Sequence, residues 1–190
     1  MKKFVSLLLT AVLLATTLTV FAVPAFAEGE AESIDKPEGA EWLVDEGNNH
    51  VWYELTENDT KLIIDGEGDM PKFTANIVLD DRPWKDDVKA ITTVVIESGV
   101  KSIGSFAFFG CTSLQSVTIP SGVTSIGGSA FGYCTSLTSI IIPYGVKSIG
   151  KNAFQQCTNL ESVSFPSSIT SIGNSVFYQC SNLTSITVKA

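Results

Sequence analysis

Cys111, Cys134, Cys157 and Cys180 follow one another at intervals of 23 residues, and the residues around them repeat with the same period. Val94 opens VVIESGVKSIGSFAFFGCTSLQS, Val117 opens VTIPSGVTSIGGSAFGYCTSLTS, Ile140 opens IIIPYGVKSIGKNAFQQCTNLES, and Val163 opens VSFPSSITSIGNSVFYQCSNLTS; ITVKA then ends the chain. A fixed period in this range is the signature of a solenoid, because one unit cannot bury its apolar face alone and stacked units bury it continuously. We number these units coils 1 to 4.

Each coil reads as a small set of local structures. Val117-Thr118-Ile119 alternates as a strand does, with the outer two residues on one face and Thr118 on the other. Pro120 and Gly122 suit a turn. Val123 to Ile126 suit a second short strand. Ala130, Phe131, Cys134 and Leu137, spaced by one, three and three, suit one or two helical turns facing inward. Three rows should fill the core: Phe108, Phe131, Phe154, Phe177; Ile103, Ile126, Ile149, Ile172; and Leu114, Leu137, Leu160, Leu183.

Four cysteines in an exported chain would ordinarily suggest disulfides. Here they share one repeat phase. Equivalent side chains in adjacent coils lie ~4.8 Å apart and point in parallel, whereas a disulfide needs Cβ atoms about 3.8 Å apart that face each other. A ladder of buried thiols is the expectation. A soft-metal site is the other reading, but His50, the one histidine, lies outside the repeats and no tetrahedral ligand set is visible. No cofactor is expected.

The front of the chain differs. Residues 1–27 carry Lys2 and Lys3, an uncharged stretch from Phe4 to Val23, and Ala25-Phe26-Ala27, the pattern of a signal peptide cut after Ala27. The membrane enters only through this segment, should it stay uncleaved. Residues 28–49 read as an acidic flexible leader, and 50–93 as a β-rich capping block that covers the first coil's open edge. In that block HVWYELT and TKLIIDG form a hairpin, Gly66 to Pro71 a loop, and residues 86–91 one helical turn. Trp52, Trp84 and Leu62-Ile63-Ile64 supply the covering surface, and the solenoid occupies 94–190. Residues 28–93 hold 18 of the 20 acidic residues; beyond them stand Glu97 and Glu161 against Lys101, Lys147, Lys151 and Lys189. That distribution offers no clustered cations for nucleic acid.

The unit I-P-x-G-V-x-S-I-G-x-x-A-F-x-x-C-x-S-L-x-S-V-x resembles the repeat of BspA-like bacterial leucine-rich repeat proteins, and GNNHVWYELTENDTKLIIDGEGDM with the later Pro83-Trp84 resembles the block that precedes such repeats. Glu97 in place of the turn proline, Ser168 in place of its glycine and Val176 in place of the alanine depart from it. The resemblance implies an α/β solenoid, a leucine-rich repeat array of four 23-residue coils plus a strand stub behind a β-rich cap. It also implies a secreted or surface-exposed protein with an adhesive, protein-binding role.

No catalytic set is legible. The repeated serines suit hydrogen bonding within turns, the paired acids a solvated face, and Asp65-Gly66-Glu67-Gly68-Asp69 lacks the glycine and distal glutamate of a calcium loop. Binding is then expected at positions that vary between coils. The outward strand row is Val95, Thr118, Ile141, Ser164 and Thr187, and nearby variable positions hold Phe109, Tyr133, Tyr144 and Tyr178. These suit an extracellular protein or glycan ligand. The competing class is a structural, self-associating surface-layer element pairing through an uncapped C-terminal coil, or a fragment of a larger adhesin.

Overall fold

The computed structural model describes residues 36–56, 58–75 and 80–189. The signal peptide, the first part of the acidic leader and the Ile77-Val78-Leu79 triplet lie outside these residues.

The strands run β1 (Glu41–Glu46), β2 (Asn49–Thr56), β3 (Lys61–Asp69), β4 (Thr93–Ile96), β5 (Val100–Ile103), β6 (Ser116–Thr118), β7 (Ser125–Ile126), β8 (Ser139–Ile141), β9 (Ser148–Ile149), β10 (Ser162–Pro166), β11 (Ser171–Ile172) and β12 (Ser185–Lys189). From β4 onward they form two parallel rows. The front row pairs β4 with β6, and β8 with β10 and β12; the back row runs β5, β7, β9, β11. Partners are 23 residues apart, as in Ser125 with Ser148 and Ile140 with Val163. The repeated serines thus stand at the beginnings or within short strands, rather than in turns as their composition suggested.

The described residues contain no helix, which corrects the expected helical turns and the α/β label to a β-solenoid. The segment carrying Ala130, Phe131 and Cys134 is a run of turns. Two positions per coil take left-handed backbone there, as at Ser129 (φ 51°) and Tyr133 (φ 61°), or Asn152 (φ 59°) and Gln156 (φ 59°), and a right-handed helix cannot pass through them. Their neighbours' amides also bond outward instead of to a carbonyl four residues back: Phe108 N–H donates to Ala130 O, Phe131 N–H to Ala153 O, and Phe154 N–H to Val176 O, at 2.8 to 2.9 Å.

The core is a set of columns through the coils. Phe108, Phe131 and Phe154 are fully buried and stack at centroid separations of 5.2 and 5.3 Å; Phe177 continues the column at 5.7 Å. Ile103, Ile126 and Ile149, and Leu114, Leu137 and Leu160, are buried beside it. In the last described coil Ile172, Ile186 and Val188 are exposed, because no described residue stacks on them.

The N-terminal block extends this geometry by imitating a coil. One part of β3 pairs in parallel with β4 (Lys61–Ile64 with Thr93–Ile96), and its end pairs with β5 through Gly68 and Asp69. A single strand therefore serves both rows. The bend falls at Gly66 (φ +104°) and Gly68 (φ +118°), where a Cβ on Gly66 would lie 1.9 Å from His50 O. The stretch Asp65 to Asp69 is thus strand, not the loop expected. Trp84 stacks on Phe108 at 6.1 Å and donates its Nε1–H to Ala107 O at 3.1 Å, so it stands in for the missing phenylalanine of a preceding coil. β2 pairs antiparallel with β3, and β1 with β2. β1 falls inside the stretch expected to be a flexible leader, so the strand structure begins earlier than position 50. Acidic residues at both ends of Glu41–Glu46 hid the Trp42-Leu43-Val44 run between them. Residues 86–91 are a turn, with Ile91 N–H bonded to Asp87 O at 3.0 Å.

The departure at Ser168 has a local explanation. In coil 3 a Cβ on Gly145 would lie 1.8 Å from Ser121 O of the coil below. In coil 4 the equivalent Ser168 is buried, and its hydroxyl donates to Tyr144 O, the corresponding carbonyl, and to Val146 O at 3.0 Å. The serine hydroxyl thus supplies a donor to two carbonyls of the coil below.

Removing one ring from the phenylalanine column leaves a cavity between two coils. Phe154→Ala is expected to lower stability by about 3–5 kcal/mol, measured by urea unfolding. A loss below about 1 kcal/mol would contradict a fully packed column.

Candidate binding surface

The cysteines come first, since a thiol could carry chemistry. All four are free and buried. The Cys134 thiol donates to Phe108 O at 3.3 Å, Cys157 to Phe131 O at 3.1 Å, and Cys180 to Phe154 O at 3.0 Å. Each sulfur thereby ties its coil to the one before it. Burial raises the Cys111 pKa from 9.0 to about 12 and pushes Cys134 up as well. Hydrogen bonding along the ladder, followed by burial, raises Cys157 and Cys180. A thiol held protonated and out of solvent is a poor nucleophile. Among the described residues no group of three or more His, Cys, Asp or Glu side chains could hold a metal ion.

The eight residues expected to bind fall into two groups. Thr118, Ile141, Ser164 and Thr187 lie on the front row, where register pairs Ile141 with Ser164 and Ser164 with Thr187, and pairs Thr118 with Val95. Ile141 is 65% exposed, and Tyr144, in the turn that follows, 64%. The Lys147 ammonium sits 5.6 Å from the centre of the Tyr144 ring, within cation–π range. The Ser164 hydroxyl is buried without a hydrogen-bond partner. Beside them lies a groove of about 250 Å³, lined by Ile142, Pro143, Tyr144, Phe165, Pro166 and Lys189.

Phe109, Tyr133 and Tyr178 belong to the turn segments instead. Phe109 and Tyr133 meet edge to face at 5.1 Å. Phe109 covers Gly132, on which a Cβ would lie 2.9 Å from the ring. A cleft of about 420 Å³ beside these rings includes Arg82, Val88 and Lys89. Arg82 is buried, donating to Asp80 through Nε at 2.9 Å and to Phe109 O. The Arg82 hydrogen bond holds the Asp80 carboxyl below its usual pKa. Tyr178 is exposed and occupies the same repeat position as Phe109, three coils further along.

Sequence reasoning missed Lys147, Lys189 and the prolines beside Tyr144. The lysines entered only as scattered charge too sparse for nucleic acid, and the prolines as turn formers. Only the stacking of coil 3, coil 4 and the strand after it brings them around one groove.

The family model describing a BspA type leucine rich repeat region (6 copies) matches residues 86–190. Among solved structures, the chain is similar to a leucine-rich repeat protein from Eubacterium ventriosum, with 28% identity and a TM-score of 0.56 over 74% of this chain and 42% of that one. It is similar to a leucine rich cell surface protein from Faecalibacterium prausnitzii, with 30% identity and a TM-score of 0.53 over 82% of this chain and 44% of that one. A leucine-rich repeat protein of T. pallidum shares 26% identity at a TM-score of 0.50 over 71% of this chain and 78% of that one. The chain therefore spans less than half the length of the Eubacterium and Faecalibacterium proteins. No curated protein matches it.

The thiol ladder sets a pH dependence. Folding holds the thiols protonated, whereas unfolded cysteines ionise near 9.0 and Cys111 in the fold only near 12. The unfolded chain binds fewer protons above that lower value, so stability is full below about pH 9 and falls as pH rises towards about 12. Urea midpoints should be level between about pH 7 and 8.5 and decline above about pH 9. Thiol titration at about pH 8 should find no reactive cysteine in the folded chain and all of them in urea without reductant; fewer in urea would reveal a disulfide.

Proposed function

Since the chain belongs to the BspA-type leucine-rich repeat family, we propose that it is an exported repeat protein that binds a protein partner outside the cell through the front strand row, without catalysis. The observation that carries this reading is the outward row in which Thr118, Ile141 and Thr187 are exposed and Ser164 half-buried, with the exposed Tyr144 beside it. Inward positions of the same strands are committed to the core; the outward ones are free to differ from coil to coil. A stacked array holds such positions at fixed spacing on a rigid surface, which lowers the ordering cost of binding.

Three observations support export. Residues 1–27 have the pattern of a signal peptide, a protein of similar fold from Faecalibacterium prausnitzii is named as a cell surface protein, and the thiols are sheltered from an oxidising environment. Adhesion follows from a binding face carried by such a protein. The array can supply hydrophobic and hydroxyl contacts, and protein surfaces are its natural counterpart.

The purified chain, presented to immobilised extracellular proteins and to a glycan array, should bind at least one protein saturably and no glycan. Ile141→Arg, which sets a bulky charge in the middle of the row, should weaken that binding roughly tenfold or more. Phe109→Ser combined with Tyr133→Ser should leave it unchanged. Binding that survives Ile141→Arg would place the contact elsewhere. Residues 1–27 fused to an alkaline phosphatase reporter should deliver active enzyme outside the cytoplasm, and an inactive fusion would contradict export.

A further inference from the structure

The outward positions of successive coils are not equivalent in chemistry. Coil 2 places Thr118, Ser121 and Thr124 there, and coil 4 places Ser164, Ser167 and Thr170. Coil 3, between them, places Ile141, Tyr144 and Lys147 at the same repeat positions, all exposed. The flanking coils are therefore uniformly small and hydroxylated, while the middle one carries a β-branched, an aromatic and a cationic side chain. Thr124 and Thr170 turn their hydroxyls back to Lys101 O and Lys147 O, at 3.1 Å each, so they add little to the relief of the surface. Tyrosine is among the residues enriched at energetic hot spots, and serine and threonine around it suit the near-neutral contacts that surround one.

The same coil also opens a recess. The Tyr144 ring is one side of the groove that includes Pro143, Phe165, Pro166 and Lys189, a space suited to one bulky apolar side chain. Lys147 lies over the ring. Glu161 is the sole acidic residue between positions 98 and 190, against Lys101, Lys147, Lys151 and Lys189, so this stretch carries net positive charge. A sugar entering this groove would surround its hydroxyls with proline, phenylalanine and isoleucine, and burying them unpaired is costly.

Resting on the strand-face reading above, we propose that coil 3 is the centre of the binding surface and takes an acidic polypeptide segment of the partner. One bulky apolar side chain of that segment enters the groove against Tyr144, and carboxylates on either side of it pair with Lys147 and Lys189. Tyr144 supplies the apolar contact; Lys147 orients the ring and selects for negative charge.

The probe is a phage-displayed library of random short peptides, panned on the full chain. Enriched peptides should carry a bulky apolar residue flanked by Asp or Glu. Their affinity should fall roughly tenfold with Tyr144→Ser and several-fold with Lys147→Ala, and should weaken as salt rises from about 50 mM to about 500 mM. Lys147→Arg should retain most of it. Unchanged melting temperatures of these surface variants would show that the fold is intact. Enriched peptides without acids, peptides indifferent to Tyr144→Ser, or no enrichment over an unrelated repeat protein would each overturn the proposal. Where indifferent peptides are lost on Ile141→Arg, the strand face still binds and only the coil 3 assignment fails. Where they survive that change too, both readings fail.

Discussion

Coil-to-coil registry at 23 residues is the constraint from which the rest of this structure follows. Each strand is only two to five residues long in the array and would not persist alone. Each becomes stable because the next coil supplies hydrogen-bond partners on the same row and an identical side chain above the same column. The phenylalanine stack, the paired serines of the back row and the thiol-to-carbonyl bonds all express this one displacement. Their agreement also fixes direction: a slip of one residue would turn every inward side chain outward and break all three at once.

A stack needs a beginning, and the cap provides one without repeating the sequence motif. β3 reaches both rows because two glycines let it bend, and Trp84 ends the aromatic column with a larger ring. β2 and β1 then cover the strand edge with antiparallel pairing. Acidic residues are concentrated in this block, among them Glu54 within β2 and Asp65 and Glu67 within β3, none of them fully buried.

The variable outward face is a by-product of the same geometry. Stacking commits the inward residues to the core and leaves the outward ones free, so sequence variation between coils accumulates on one surface. That surface is hydroxyl-rich in coils 2 and 4, whereas coil 3 between them carries Ile141, Tyr144 and Lys147 together. Lys189 joins them only because coil 4 and the following strand are packed alongside. The Phe109 and Tyr133 pair belongs to the turn segments, with Phe109 tied through its carbonyl to the buried Arg82 and its ring laid over Gly132.

The period, the core columns through coils 1 to 3 and the buried thiols were legible from the residues, because a repeated coil leaves each position the same neighbour and periodicity reports that neighbour directly. The helical turns were misread: a spacing of one, three and three fits a helix equally well, and left-handed residues such as Ser129 and Tyr133 are invisible in composition. β1 was hidden because acids flank its apolar run. The double duty of β3, the substitution of Trp84 for a phenylalanine and the groove beside Tyr144 depend on contacts between segments far apart in the chain. Local pattern could determine which residues turn inward; only three-dimensional packing could decide which distant ones meet.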